Sequence, residues 1–163
     1  GRNKANMLND ALEIIANHDS TTRLQNRYAL NQRIPDYLNT DICIAMIDIN
    51  SFKEINDTYG HRAGDDALAV FAGLLLECFD HDDIYRYGGD EFLLYIEGDV
   101  EPRSIYDRFI EERSMTLRRN AVTYSIGAVK AKKDDNLYKA VNHADEAMYA
   151  VKQTNKNNFC FFE

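Results

Sequence analysis

The sequence predicts an α+β domain built on a central, mostly antiparallel sheet flanked by helices. Three observations predict it: an unbroken apolar run from Ile42 to Ile47, a glycine pair at Gly88-Gly89 between β-favouring segments, and helical apolar spacing in the stretches between them. The expected order is strand, two helices, two strands, helix, strand, helix, strand, which contains a ferredoxin-like βαββαβ unit. At 163 residues the chain has the size of one domain, and 45% hydrophobic against 28% charged residues is enough apolar material for a full core.

The elements follow in order. Residues 4–17 read as a helix, with Ala5, Leu8, Leu12 and Ile15 at alternating spacings of three and four. That stripe fits the start of a coiled-coil seam and an amphipathic helix packed on its own domain equally well. After the polar break "NHDSTTRLQN", Asn26 is an N-cap for a helix running to Pro35. The run Ile42 to Ile47 is a strand buried on both faces, interrupted by Asp48. A short helix is expected over Ser51 to Asp57, a turn at Tyr59-Gly60, and a longer helix from Gly64 to Phe79 with Leu68, Phe71, Leu75 and Cys78 at helical spacing. "IYRYGGDEFLLYIE" reads as a hairpin turning at Gly88-Gly89. Residues 103–113 look helical, "AVTYSIGAV" is a strand, 136–153 a helix, and "NFCFF" a closing strand.

Composition excludes several classes of function. With 27 acidic and 19 basic residues the formal charge is −8, which argues against nucleic acid or an anionic membrane surface as partner. An anionic small molecule is still accommodated where metal ions and a few lysines offset the charge. Cys43, Cys78 and Cys160 form no C-x-x-C pair and sit in apolar runs, as buried reduced thiols do, and the scattered His18, His61, His81 and His143 give no zinc spacing. No apolar run reaches membrane-spanning length and no signal peptide is visible, so a cytoplasmic setting is expected. The chain begins with Gly rather than Met, which reads as the cytoplasmic portion of something longer, soluble or membrane-bound.

Asp48 alone reads as a strand-terminal cap, and Asp90 and Glu91 as polar residues leaving a turn. In a βαββ arrangement, however, the end of the first strand can lie beside the following hairpin, and three carboxylates would then meet. Such a cluster calls for a cation, and oxygen-only ligands select a hard ion such as Mg²⁺ working with substrate phosphates. The glycines let a bulky ligand lie against the turn.

"RYGGDEF" resembles the signature of the GGDEF family, the diguanylate cyclases. "DINSFKEINDTYGHRAGDDAL" is similar to that family's "D-x-D-x-F-K-x-I-N-D-x-x-G-H-x-x-G-D" block, "YSIGA" and "ADEAMYAVKQTNKNN" to its C-terminal motifs, and "DSTTRLQNR" more loosely to its opening motif. The resemblance covers residues 19–163, leaving 1–18 as an N-terminal linker or signalling helix. It implies a palm-like domain that condenses two GTP into cyclic di-GMP with release of two pyrophosphates, across a homodimer, under control of an N-terminal sensory region. A catalytically silent module that binds GTP or a protein is the rival reading.

Carried over residue by residue, the resemblance makes Asp48, the Ile49 carbonyl, Asp90 and Glu91 the metal ligands for Mg²⁺, or alternatively Mn²⁺. Asp90, Glu91 and Lys53 become the catalytic set, with Asp90 activating the 3′-hydroxyl. Asn56 and Asp65 match the guanine-reading pair and His61 a further substrate contact. Ser51 and Phe52 offer N–H groups to the phosphates, Gly88 and Gly89 lie against the nucleotide, and Lys152 and Lys156 face the triphosphate. Lys156 stands where the family usually has Arg, which forfeits the bidentate fork. Independently, a carboxylate at Asp65 accepts from guanine N1–H and the 2-amino group together, while its plain reading is a first-turn helix residue. Three departures stand out. The Arg-x-x-Asp product site falls on Phe79 and Asp82, so its Arg is absent and feedback inhibition is not expected. Asn50 occupies a frequent Asp position. Thr21 and Arg23 replace a usual Leu and Gly, and Arg resists backbone geometry that Gly permits.

Overall fold

The structure, a computed structural model, describes residues 3–109, 123–154 and 159–162. Its helices are α1 (Lys4–Asn17), α2 (Arg27–Arg33), α3 (Phe52–Tyr59), α4 (His61–Cys78), α5 (102–109) and α6 (Leu137–Thr154). Its strands are β1 (Gln25–Asn26), β2 (Ile42–Ile49), β3 (Ile84–Arg86), β4 (Glu91–Glu97), β5 (Tyr124–Ala131) and β6 (Phe159–Phe162). They form one sheet in the order β1-β3-β4-β2-β5-β6. The three inner pairings, β3 with β4, β4 with β2 and β2 with β5, are antiparallel, and only the two edge pairings are parallel. The mixed, mostly antiparallel sheet expected from the sequence is therefore the one observed.

All eight residues of β2 are buried, as its unbroken apolar run requires. Alternation along the strand divides the core in two. Cys43, Ala45, Ile47 and Ile49 face α4 and α5 with Leu68, Phe71 and Phe109, while Ile42, Ile44 and Met46 face α2 and α6 with Leu30, Ala144 and Met148. Phe71 anchors the first half, its ring 5.3 Å from Phe92 and 5.5 Å from Tyr124.

Several boundaries move. Asp48 does not end β2 but lies within it, because backbone pairing on both sides continues to Ile49. α3 begins at Phe52 rather than Ser51 and runs on to Tyr59, and α4 begins at His61 rather than Gly64. Gly60, at φ 92°, is all that separates them. The strand expected from residue 121 spans Tyr124–Ala131, and residues 110–113 of the expected fifth helix lie outside the described residues. β1 has no counterpart in the sequence reading. Asn26 caps α2 as expected, accepting from the Ala29 N–H at 2.9 Å. Cys43 is a buried free thiol, but Cys78 is only half-buried.

α1 buries none of its residues, and Met7, Leu8, Leu12, Ile14 and Ile15 are all more than half exposed. That outcome disfavours packing of its stripe on this domain. Arg23 has φ 61°, the left-handed region that costs a side-chain-bearing residue about 1–2 kcal/mol. Arg23→Gly is expected to raise unfolding free energy by about 1 kcal/mol, part of the gain being offset by glycine's entropy in the unfolded chain. Urea denaturation measures it, and an equal or lower stability refutes it.

Candidate active site

The antiparallel register of β2 and β4 sets Asp48 opposite Glu91, and β5 places Ser125 on its other side. The hairpin loop then folds back over the strand end: Ile49 N–H donates to the Asp90 carbonyl at 3.2 Å, and Tyr87 and Gly88 N–H groups donate to the Glu91 carbonyl at 2.8 and 3.2 Å. A Cβ at Gly88 would come within 3.0 Å of Glu91 Oε1, so the bare glycine leaves that carboxylate its present position against the turn. The Arg86 guanidinium fastens the loop, donating to Gly89 O at 2.7 Å, Gly88 O at 3.3 Å and Asp19 Oδ1 at 2.8 Å. Burial works against ionisation of Asp19, but hydrogen bonds from Thr22 and Arg86 outweigh it and hold its carboxyl below the usual range.

Asp48 is 6% exposed. One of its oxygens, Oδ2, takes the Lys152 ammonium, and Oδ1 is buried with no hydrogen-bond partner. Burial raises its proton affinity first, the neighbouring Asp90 carboxyl raises it further, and Lys152 pulls the other way. Glu91 is raised too, by burial and then by the charges of Asp145 and Asp90, with Lys152 and Arg27 opposing.

The three carboxylates are thus neighbours, but not the single cage expected. Among the described residues no three acidic, histidine or cysteine side chains gather tightly enough to hold a metal ready-made. Lys152, read from sequence as a triphosphate lysine, lies on Asp48 as its cation. The donor chemistry nevertheless fits a hard divalent ion, since a buried carboxylate oxygen lacks a partner and an ammonium occupies the place of positive charge.

Just beyond the end of β2, Ser51 is left-handed at φ 58° and precedes α3, so Phe52 and Lys53 lie in its first turn, Phe52 half-buried and Lys53 exposed. Asn56 lies against Gly64, where a Cβ would collide with its Oδ1. Asp65, exposed, follows directly. It is the fifth residue of α4, so the plain reading as a first-turn helix residue fails. His61 opens α4 and is exposed. Asn50 is buried and accepts from Ser125 Oγ at 2.8 Å. Lys156 lies outside the described residues. Phe79 is buried beneath the Arg108 guanidinium, 5.3 Å from its ring, while the Asp82 side chain is 92% exposed.

Sequence reasoning missed Asp145 and Arg27 as charges acting on Glu91. Both lie in stretches that carry the family resemblance, "ADEAMYAVKQTNKNN" and "DSTTRLQNR", and the resemblance assigns neither a role.

A mixed sheet with a carboxylate-bearing strand end beside a two-glycine hairpin is a palm-like fold. The family profile described as "Diguanylate cyclase, GGDEF domain" matches residues 16–158, and the chain belongs to that family. Among curated relatives it is 30% identical to the cyclic di-GMP phosphodiesterase PdeR of Escherichia coli K12, over 94% of this chain and 25% of the relative. It is 29% identical to the diguanylate cyclase DgcZ of the same organism, over 93% and 55%. The chain therefore spans between a quarter and just over half of these two relatives. Among solved structures, the coiled coil and GGDEF domain of DgcB from Caulobacter crescentus, in complex with c-di-GMP, superposes with a TM-score of 0.80 at 25% identity, covering 98% of this chain and 94% of that one. Among the described residues no helix is long and apolar enough to cross a membrane.

Proposed function

We propose that this domain is an active diguanylate cyclase, joining two GTP into cyclic di-GMP and releasing two pyrophosphates. The observation that carries the reading is Asp48: a buried carboxylate with an unpartnered oxygen, set opposite Glu91 beneath a glycine turn and close enough to Asp90 to feel its charge. Asp48, Glu91, Asp90 and the Ile49 carbonyl would hold Mg²⁺ or Mn²⁺. Such an ion, when bound, supplies positive charge to the phosphates and stabilises both oxygens of an in-line displacement. Asp90 accepts the proton of the 3′-hydroxyl as that oxygen attacks the α-phosphate of the second GTP. Lys53 offsets the negative charge on the transferring phosphate, Asn56 and Asp65 select guanine, and His61, Ser51, Phe52, Gly88 and Gly89 complete the nucleotide cradle.

Because each nucleotide supplies the other's nucleophile, the reaction runs between two copies of the domain. Residues 19–163 form the catalytic unit and residues 1–18 the segment through which a sensory region acts. Lys152 bound to Asp48, and a relative named as a phosphodiesterase, favour the silent module as the second reading. Incubating the protein at high concentration with GTP and Mg²⁺ and identifying products by mass decides between them. Cyclic di-GMP is the expected product, and GTP recovered intact would establish the silent module.

The product site gives a further prediction. With a buried apolar side chain, Phe79, standing at the Arg position of Arg-x-x-Asp before the exposed Asp82 carboxylate, added cyclic di-GMP should leave the initial rate essentially unchanged. Strong non-competitive inhibition in a rate titration would contradict this.

A further inference from the structure

Strand alternation places one more charged side chain at this site. Met46 and Leu93 pack against α2 and α6, so Asp48 and Glu91, two residues from each along β2 and β4, project to the same face. α6 bounds that face on one side and delivers Lys152 to Asp48. α2 bounds it on the other, and its first residue, Arg27, lays its guanidinium 4.2 Å from the centre of the Tyr87 ring. Tyr87 directly precedes the glycine pair, and its N–H is bonded to Glu91 O at 2.8 Å, so Arg27 is seated on the hairpin loop itself.

The contact leaves the guanidinium's chemistry unspent. Arg27 is exposed and makes no hydrogen bond or ion pair among the described residues. A guanidinium resting its flat face on an aromatic ring keeps its N–H edge for another partner. Its charge reaches Glu91, where it opposes the effects of burial and of Asp145 and Asp90. A domain of charge −8 that takes a polyanion must surround it with such groups.

We propose that Arg27 is a phosphate-binding residue of the nucleotide site, holding the triphosphate from the α2 side while α6 bounds it on the other. The inference rests on the nucleotide reading above. The planar edge suits two phosphate oxygens at once, a geometry lysine lacks.

The test is calorimetric binding of 3′-deoxyGTP with Mg²⁺, which cannot be cyclised, to the wild-type protein and to Arg27→Ala, Arg27→Lys and Tyr87→Phe. Arg27→Ala is expected to weaken binding roughly tenfold or more, as loss of a hydrogen-bonded charge does. Arg27→Lys should fall between, and Tyr87→Phe, which keeps the ring, should bind as wild type does. The melting temperature of each variant separates this from a structural role: Arg27→Ala is expected to melt within a degree or two of wild type. Wild-type affinity in Arg27→Ala overturns the inference and leaves the nucleotide reading standing, as does an affinity loss that merely tracks a lowered melting temperature. A wild-type protein that does not bind the analogue overturns both.

Discussion

Asp48→Asn is expected to reduce cyclic di-GMP formation by on the order of a thousandfold, the scale on which a preorganised electrostatic element at a reacting phosphate acts. The substitution keeps the shape of the side chain and removes the charge that would hold the divalent ion. The same change should leave the fold intact, and the sign follows from Asp48's proton affinity. Burial and Asp90 raise its pKa above the ordinary 3.8, so the folded protein holds that proton more tightly than the unfolded chain. Its stabilising contribution is full below 3.8 and is lost as the pH rises through the folded value. At neutral pH the ionised Asp48 is thus a net burden on the fold, and a neutral amide relieves it. The melting temperature of Asp48→Asn at pH 7 should be equal to or above that of wild type. Retained turnover would remove Asp48 from the metal site, and lost turnover with a lowered melting temperature would reduce it to a structural residue.

The contrast between Asp48 and Lys152 shows what the sequence could disclose. The juxtaposition of Asp48 with Glu91 was legible, because a buried strand followed by a hairpin leaves few ways to pair, and two-residue periodicity then sets the register. The Lys152 ammonium on Asp48 was not legible. It joins residues 104 positions apart, and no local pattern records which of several nearby oxygens a flexible side chain takes. Helix boundaries failed for a related reason. Tyr59-Gly60 reads as a turn and Gly64 as a helix start, yet one positive-φ glycine is a sufficient break, and Gly64 is there to let α4 pass Asn56. β1 has two residues, too few to carry any period. Arg23 was legible as a misfit from its place in the opening motif, and its φ of 61° is the strain that misfit implies. The apolar stripe of α1 was legible as a stripe, but a stripe does not say what covers it, and in this chain nothing described does.

Gly127 carries the largest expected effect on stability. It lies in β5 where α6 crosses, and a Cβ there would run into the backbone N of Met148 and the backbone O of Ala144. Those atoms belong to a helix ladder and cannot rotate aside as a side chain would, so even one methyl group must push α6 off the sheet. Gly127→Ala is therefore expected to cost about 3 kcal/mol or more, the upper range for overpacking, out of a total that for such domains is roughly 5–15 kcal/mol. The comparison is Gly73→Ala: Gly73 lies in α4 with nothing within 4 Å of an added Cβ, so alanine there should stabilise by roughly 0.5–1 kcal/mol through helix propensity alone. Urea denaturation of the two variants side by side measures both signs, and a cost below that of an ordinary surface substitution at Gly127 would mean that α6 stands further from β5 than described. The consequence extends to function, because α6 also carries Lys152 and Asp145. Lifting it from β5 draws the Lys152 ammonium away from Asp48 and the Asp145 charge away from Glu91, so Gly127→Ala should change nucleotide affinity even at temperatures where the domain remains folded.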